Sequence, residues 1–115
     1  FSSVSLDPPL VLWSLSLRSP SLRAFEEASH FAVNVLAEDQ VHVSKRFSTP
    51  LPDKFEGIAW RRGVANLPLI DGTLARLECA NTARHISGDH VIFIGQVERF
   101  AYEPKQPLVF CHGRY

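Results

Sequence analysis

Seven of the first 21 residues are serines: Ser2, Ser3, Ser5, Ser14, Ser16, Ser19 and Ser21. Hydroxyls at this density suit one chemistry that needs neither acid nor base. They can converge with backbone amides on a phosphate, best beside a helix N-terminus. Ser19 and Ser21 stand where a helix is expected to begin. The same spacing also fits ordinary capping and turn serines, and spacing by itself favours that plainer role. Ser44, followed by Lys45 and Arg46, is a second cluster of donor and cation, or else a solvated helix end. Histidines sit at 30, 42, 85, 90 and 112. His85 and His90 flank a turn with Asp89 between them, but adjacent strand residues point to opposite faces, so no metal site is expected.

Several reaction classes lose support. The chain has no Gly-x-Gly-x-x-Gly or Walker loop, no Gly-x-Ser-x-Gly elbow and no His-Glu-x-x-His. Cys79 and Cys111 lie far apart without a Cys-x-x-Cys, which reads as a pair of reduced thiols in a cytoplasmic protein. Lys plus Arg and Asp plus Glu each number 12, so the formal charge is zero. Nucleic-acid binding by phosphate neutralisation needs a basic excess, and an anionic membrane surface attracts polybasic segments; neither partner is expected. At 115 residues, 45% of them hydrophobic, the chain is long enough for one domain with a packed core. Its opening Phe-Ser-Ser and its lack of methionine read as the interior of a longer protein.

The elements that must position these residues follow from pattern. A short strand is expected over Ser3 to Leu6, then a break at Asp7-Pro8-Pro9, then a strand from Leu10 to Leu17. Ser19-Pro20 is read as an N-cap followed by proline at the first helical position, opening a short amphipathic helix to Ala28. Phe31 to Leu36 is a strand, and Ala37 to Phe47 a second helix with Lys45 and Arg46 near its end. Ser48 to Asp53 is loop, and Gly57 to Arg62 a short strand or irregular segment. Asp71-Gly72 is a hairpin signal leading into a strand over Thr73 to Thr82. A turn at Ser87-Gly88-Asp89 precedes the longest strand, His90 to Phe100, and Pro107 to Cys111 is a last short strand. The sum is mainly β with two short helices inserted early, which favours a closed or partly closed antiparallel barrel.

Six stretches in order then resemble one family. They are Ser3-Val4-Ser5-Leu6-Asp7-Pro8-Pro9-Leu10, His30-Phe31-Ala32-Val33-Asn34-Val35-Leu36, Ser44-Lys45-Arg46-Phe47, Leu77-Glu78-Cys79, Gly88-Asp89-His90-Val91-Ile92-Phe93-Ile94-Gly95 and Gly113-Arg114-Tyr115. Together they resemble the flavin reductase family of FMN-binding split barrels, over residues 1–115. The fold implied is a Greek-key split β-barrel with short inserted helices. The resemblance also implies further N-terminal strands and an Asn-Ser pair ahead of Phe1.

The activity implied is an NAD(P)H-dependent flavin reductase, an oxidoreductase moving a hydride from NADH or NADPH to FMN or FAD. The reduced flavin would feed a partner flavin-dependent monooxygenase, and the protein would be a cytoplasmic homodimer. Ser2, Ser3, Val4 and Ser5 match a segment passing the flavin ring. Ser14, Leu15, Ser16, Ser19 and Ser21 match a stretch running along the ribityl chain toward the phosphate. Ser44, Arg46 and Phe47 fall in the Ser-x-x-Phe stretch near phosphate and ring. His90, taken as the catalytic residue, and Tyr115 match positions on the nicotinamide side. Hydride transfer needs stacked rings and no strong acid or base, which agrees with the missing acid–base apparatus. Two other readings use the same residues: a non-catalytic flavin-binding electron carrier, and a β-barrel interaction domain whose serines only cap and turn.

Overall fold

The computed structural model describes residues 1–115. In chain order these form β1 (Ser2–Leu6), β2 (Pro9–Ser16), α1 (Leu22–Glu27), β3 (His30–Val35), α2 (Val41–Phe47) and β4 (Trp60–Arg62). A 3-10 turn (Val64–Asn66), β5 (Pro68–Ile70), β6 (Ala75–Ser87) and β7 (His90–Tyr102) follow. Five strands make one sheet in the order β1-β2-β7-β6-β3, and β4 pairs with β5 in a second sheet. The expected mainly β class with short helices is what forms. No helix is long and apolar enough to cross a membrane.

The chain divides into two units: Phe1–Phe31 with Glu78–Arg99, and Ala32–Leu77 with Phe100–Tyr115. In the first unit the register of β2 against β7 decides which residues are core. Pairs run from Leu10↔Gln96 to Ser16↔His90, with Trp13 opposite Phe93 and Val11 opposite Gly95. Residues directly opposite share a face, so Val11, Trp13, Leu15, Val91, Phe93 and Gly95 point one way. Phe93, Val91 and Cys79 are fully buried there. Trp13 stacks on Phe93 (centroids 5.0 Å) and meets Phe25 edge-on (4.7 Å) and Phe31 (5.9 Å). Gly95 is glycine because of this packing: a Cβ there would lie 2.4 Å from Phe31 Cζ and 2.9 Å from Cys79 Cβ. The indole Nε1 of Trp13 is buried without a hydrogen-bond partner, so this ring is held by its apolar contacts.

α1 starts later than expected. Ser19 Oγ accepts from the Ser21 amide (3.2 Å) and Ser19 O from the Leu22 amide (3.2 Å), so Ser19 and Pro20 make a turn and Ser21 is the N-cap. Its far end is satisfied from β6: Asn81 Nδ2 donates to Phe25 O (2.9 Å) and Ala28 O (3.1 Å), and Arg84 donates to Glu26 O. Those carbonyls have no partner inside so short a helix.

The second unit is stitched by side chains reaching backbone. Asn34 of β3 accepts from the Ile70 amide (2.9 Å) and donates to Pro68 O (3.2 Å), gripping both ends of β5. Buried Gln40 accepts from the Ala37 amide (3.0 Å) and donates to Asp71 O (2.9 Å). That grip makes Ala37 to Gln40 a turn, so α2 begins at Val41 and not at Ala37. The Asp71-Gly72 turn forms, with Gly72 at φ +83°, but it does not close a hairpin. β5 turns back onto β4 instead, Trp60 opposite Ile70 and Arg62 opposite Pro68. The expected strand Pro107 to Cys111 is also absent. Pro107 bridges Ala37, and Leu108 donates to Leu36 O (3.0 Å), but Pro107 has no N–H with which to extend a ladder. β6 equals β7 in length, 13 residues each.

Candidate functional site

In the first unit the strand register sorts the predicted residues by face. Ser16 lies opposite His90 and Ser14 opposite Ile92, so Ser14, Ser16 and His90 share the face that carries no core. Leu15 points to the core face, opposite Val91. On β1, Ser2 pairs with Leu12 and Ser5 with Leu10, which puts both on the Ser14 side; Ser3, opposite Val11, falls on the other. Val4 sits at the register shift between Ser3 and Ser5, an extra residue that kinks the strand. Ser2, Ser3, Val4 and Ser14 are exposed, and Ser5 and Ser16 half-buried.

Several of these hydroxyls already have backbone tasks. Ser16 Oγ accepts from the Arg18 amide (3.1 Å), Ser19 Oγ from the Ser21 amide, and Ser2 Oγ donates to Ser3 O (3.3 Å). Ser21 makes no side-chain cap bond. The turn role therefore holds for Ser16 and Ser19, while Ser14 carries no such bond.

His90 opens β7 just past the Gly88 turn, its side chain 48% exposed. Its Nδ1 donates to the Asp89 carboxylate (2.8 Å), a bond that holds the Asp89 carboxyl below the usual carboxylate range. With Nδ1 fixed this way, Nε2 is the ring nitrogen available to a ligand. His30 is placed differently: its Nδ1 meets Ser29 Oγ (2.8 Å) and its Nε2 meets Glu98 Oε1 (2.5 Å), so both nitrogens are engaged within the protein. No group of three or more His, Cys, Asp or Glu is arranged to hold a metal ion. Both cysteines are free thiols, Cys79 buried and Cys111 exposed.

In the second unit, α2 brings Ser44 and Tyr115 together, Oγ to Oη 2.7 Å. Phe47 packs edge-on against Phe55 (5.0 Å), Phe55 against Trp60 (5.0 Å), and the Arg62 guanidinium lies 5.1 Å over Trp60. Arg46 turns away to donate to Lys54 O (3.0 Å) and Asp53 O (3.0 Å), while Lys54 Nζ donates to Phe47 O (2.9 Å). The geometry gives Arg46 a loop to hold. Sequence reasoning missed the Phe47–Phe55–Trp60–Arg62 row; the only signal was aromatic residues interleaved with arginine across a loop too irregular to place. It also missed a cleft of about 290 Å³ lined by Gln40, His42, Gly57, Ile58, Asp71 and Gly72, among others. Those residues come from three separate chain segments.

The flavin reductase like domain family matches residues 1–115. The FMN reductase (NADH) SmoA of Agrobacterium fabrum is 47% identical over 115 residues, which cover all of this chain and 66% of that protein. The flavin-dependent monooxygenase reductase subunit HsaB of Mycobacterium tuberculosis is 42% identical over 118 residues, covering all of this chain and 63% of its own length. Among solved structures, the NADH:FAD oxidoreductase SgcE6 of Streptomyces globisporus, in complex with NAD and FAD fragments, is similar at a TM-score of 0.94 and 35% identity. That likeness covers 99% of this chain and 70% of the other. The chain thus spans about two thirds of the length of these two curated relatives. A β-ladder face of serines ending at a histidine, a matching fold and a family match along every residue lead to one conclusion: this chain belongs to the flavin reductase family.

Proposed function

We propose that the whole protein is an NAD(P)H-dependent flavin reductase that passes a hydride from NADH or NADPH to FMN or FAD and supplies the reduced flavin to a partner monooxygenase. The observation that carries this reading is the close likeness, across nearly the entire chain, to a structure holding NAD and FAD fragments. Relatives named as an NADH FMN reductase and as a monooxygenase reductase subunit support it. Residues 1–115 act as the flavin reductase-like domain, in a cytoplasmic homodimer.

The donor set fits a flavin. Its polar edge takes neutral hydrogen bonds, and the chain offers uncharged hydroxyls on one ladder face, at Ser2, Ser5, Ser14 and Ser16. Bound flavin supplies the hydride acceptor. The protein's own task is placement: Ser2, Ser3, Val4 and Ser5 border the ring, and Ser14, Leu15, Ser16, Ser19 and Ser21 follow the ribityl chain, Ser3 and Leu15 by backbone only, because their side chains lie on the opposite face. Within the second unit, Ser44 is a candidate donor to a phosphate, and Arg46 and Phe47 hold the loop beside it. His90, its Nδ1 tied to Asp89, leaves Nε2 to meet the nicotinamide. Preorganised polar groups of this kind raise rate by orientation, with no proton to move at the reacting atoms.

Anaerobic stopped-flow mixing of the full-length protein with FMN and NADH should bleach the flavin absorbance. A full-length protein that leaves the flavin yellow sinks the proposal. His90→Ala should slow NADH-dependent turnover and leave flavin affinity unchanged; intact turnover in that variant would favour a plain flavin carrier.

A further inference from the structure

Near the end of the chain lies a device small enough to read atom by atom. His112 and Gly113 both take positive φ, 51° and 79°. Around them the Cys111 amide donates to Arg114 O (2.8 Å) and the Arg114 amide to Cys111 O (3.1 Å). Two central residues with positive φ, closed by reciprocal bonds, make a two-residue hairpin turn of the mirror-image type. The turn sets Phe110 opposite Tyr115, ring centroids 5.0 Å apart. Tyr115 is thereby delivered to Ser44 of α2, hydroxyl to hydroxyl at 2.7 Å, with Lys45 Nζ 6.0 Å from its ring centroid. Phe110 is 63% exposed and Tyr115 43%, so little apolar burial holds this hairpin in place. The hydroxyl pair, with the Lys45 ammonium over the tyrosine ring, is what fastens it to α2.

Of the two hydroxyls the phenol is the stronger acid and hence the better donor. When Tyr115 Oη donates to Ser44 Oγ, the serine proton is left to point outward, and a hydroxyl that accepts a bond donates more strongly. We infer that Tyr115 is a positioning residue for Ser44: it fixes and strengthens the serine as a donor to an oxygen of bound flavin nucleotide. This rests on the flavin reductase reading. It also changes the part expected of Tyr115, whose hydroxyl faces Ser44 and so acts on flavin binding through the serine, with any nicotinamide contact left to the rest of the ring.

The test uses the full-length protein, with dissociation constants for FMN and for riboflavin and the KM for NADH. Tyr115→Phe keeps the ring against Phe110 and removes only the hydroxyl. It should weaken FMN binding by about tenfold, the loss of roughly one hydrogen bond, with the NADH KM unchanged. Ser44→Ala should do the same, and the double variant should be no weaker than Ser44→Ala alone. Gly113→Val, which strains the turn, should reproduce the Tyr115→Phe loss. Riboflavin locates the accepting oxygen: a loss seen with FMN and not riboflavin places it on the phosphate, and equal losses place it on the ring or ribityl chain. Additive losses in the double variant, wild-type FMN affinity in Tyr115→Phe, or a change confined to the NADH KM would overturn the inference. A wild-type protein that binds no FMN would instead fail the flavin reading itself, before any variant is compared.

Discussion

The two units are held together by different forces. In the first, long strands in continuous register bury a set of rings, Trp13, Phe25, Phe31 and Phe93, against Val91 and Cys79. In the second, short and irregular segments are tied by single side chains to backbone atoms, by Asn34 to β5, Gln40 to Ala37 and Asp71, and Arg46 and Lys54 across one loop. Dispersion and area burial stabilise the first, where shape is what matters. Directed hydrogen bonds define the second, where a buried backbone group left without its partner is the main hazard. The first kind of stabilisation tolerates a change of polarity badly and the second a change of reach. The predicted site residues follow this division. Those of the first unit sit on a ladder face fixed by register, and those of the second on a helix and a hairpin fixed by individual bonds.

The sharpest way to break the contrast is Phe93→Ala. Removing a fully buried ring from the stack should cost about 3–5 kcal/mol in denaturant unfolding, and a cost under 1 kcal/mol would mean the rings are not the first unit's core. Gly95→Ala tests the same core from the opposite direction. Its Cβ would collide with Phe31 and Cys79, so a loss of about 1–3 kcal/mol from overpacking is expected, although alanine is the better residue in most backbones. In the second unit, Gln40→Leu keeps the bulk and strips the bonds, leaving the Ala37 amide and Asp71 carbonyl unpartnered; a loss of roughly 1–3 kcal/mol should follow. If leucine there proved neutral, the second unit would be an ordinary apolar core after all.

A further effect is a pH dependence. Burial, helped by the Glu98 and Glu78 charges, pushes the Cys79 thiol up from 9.0 to about 11. The unfolded chain therefore releases this proton first as pH rises. The stability Cys79 contributes is complete below pH 9 and is lost as pH climbs toward 11. Unfolding followed between pH 8 and 10.5 should show that alkaline decline, and Cys79→Ala should flatten it. An identical slope in the variant would assign the decline to other groups.

Much of this was readable in the chain. The run Leu10 to Leu17, the Ser87-Gly88-Asp89 turn and the alternation after His90 announce the β2 and β7 ladder, because strand period and turn chemistry are local properties. Where reading failed, a distant atom had intervened. Ser19 looked like an N-cap, but its hydroxyl closed a turn of its own. Ala37 looked helical until Gln40 captured its amide, and Asp71-Gly72 looked like a hairpin until β5 chose β4. Arg46 belongs to a candidate phosphate-binding cluster in the sequence, yet the loop carbonyls of Asp53 and Lys54 claim its guanidinium.

The order of residues determined the mainly β class, the β2 and β7 ladder and the family, since each depends on residue types and short spacings. Which serines face the same way as His90, why residue 95 has no side chain, and that Ser44 meets Tyr115 were decided only by tertiary structure. Register, close approach and a bond spanning 71 positions are relations between distant segments, and they take a value only once those segments are packed.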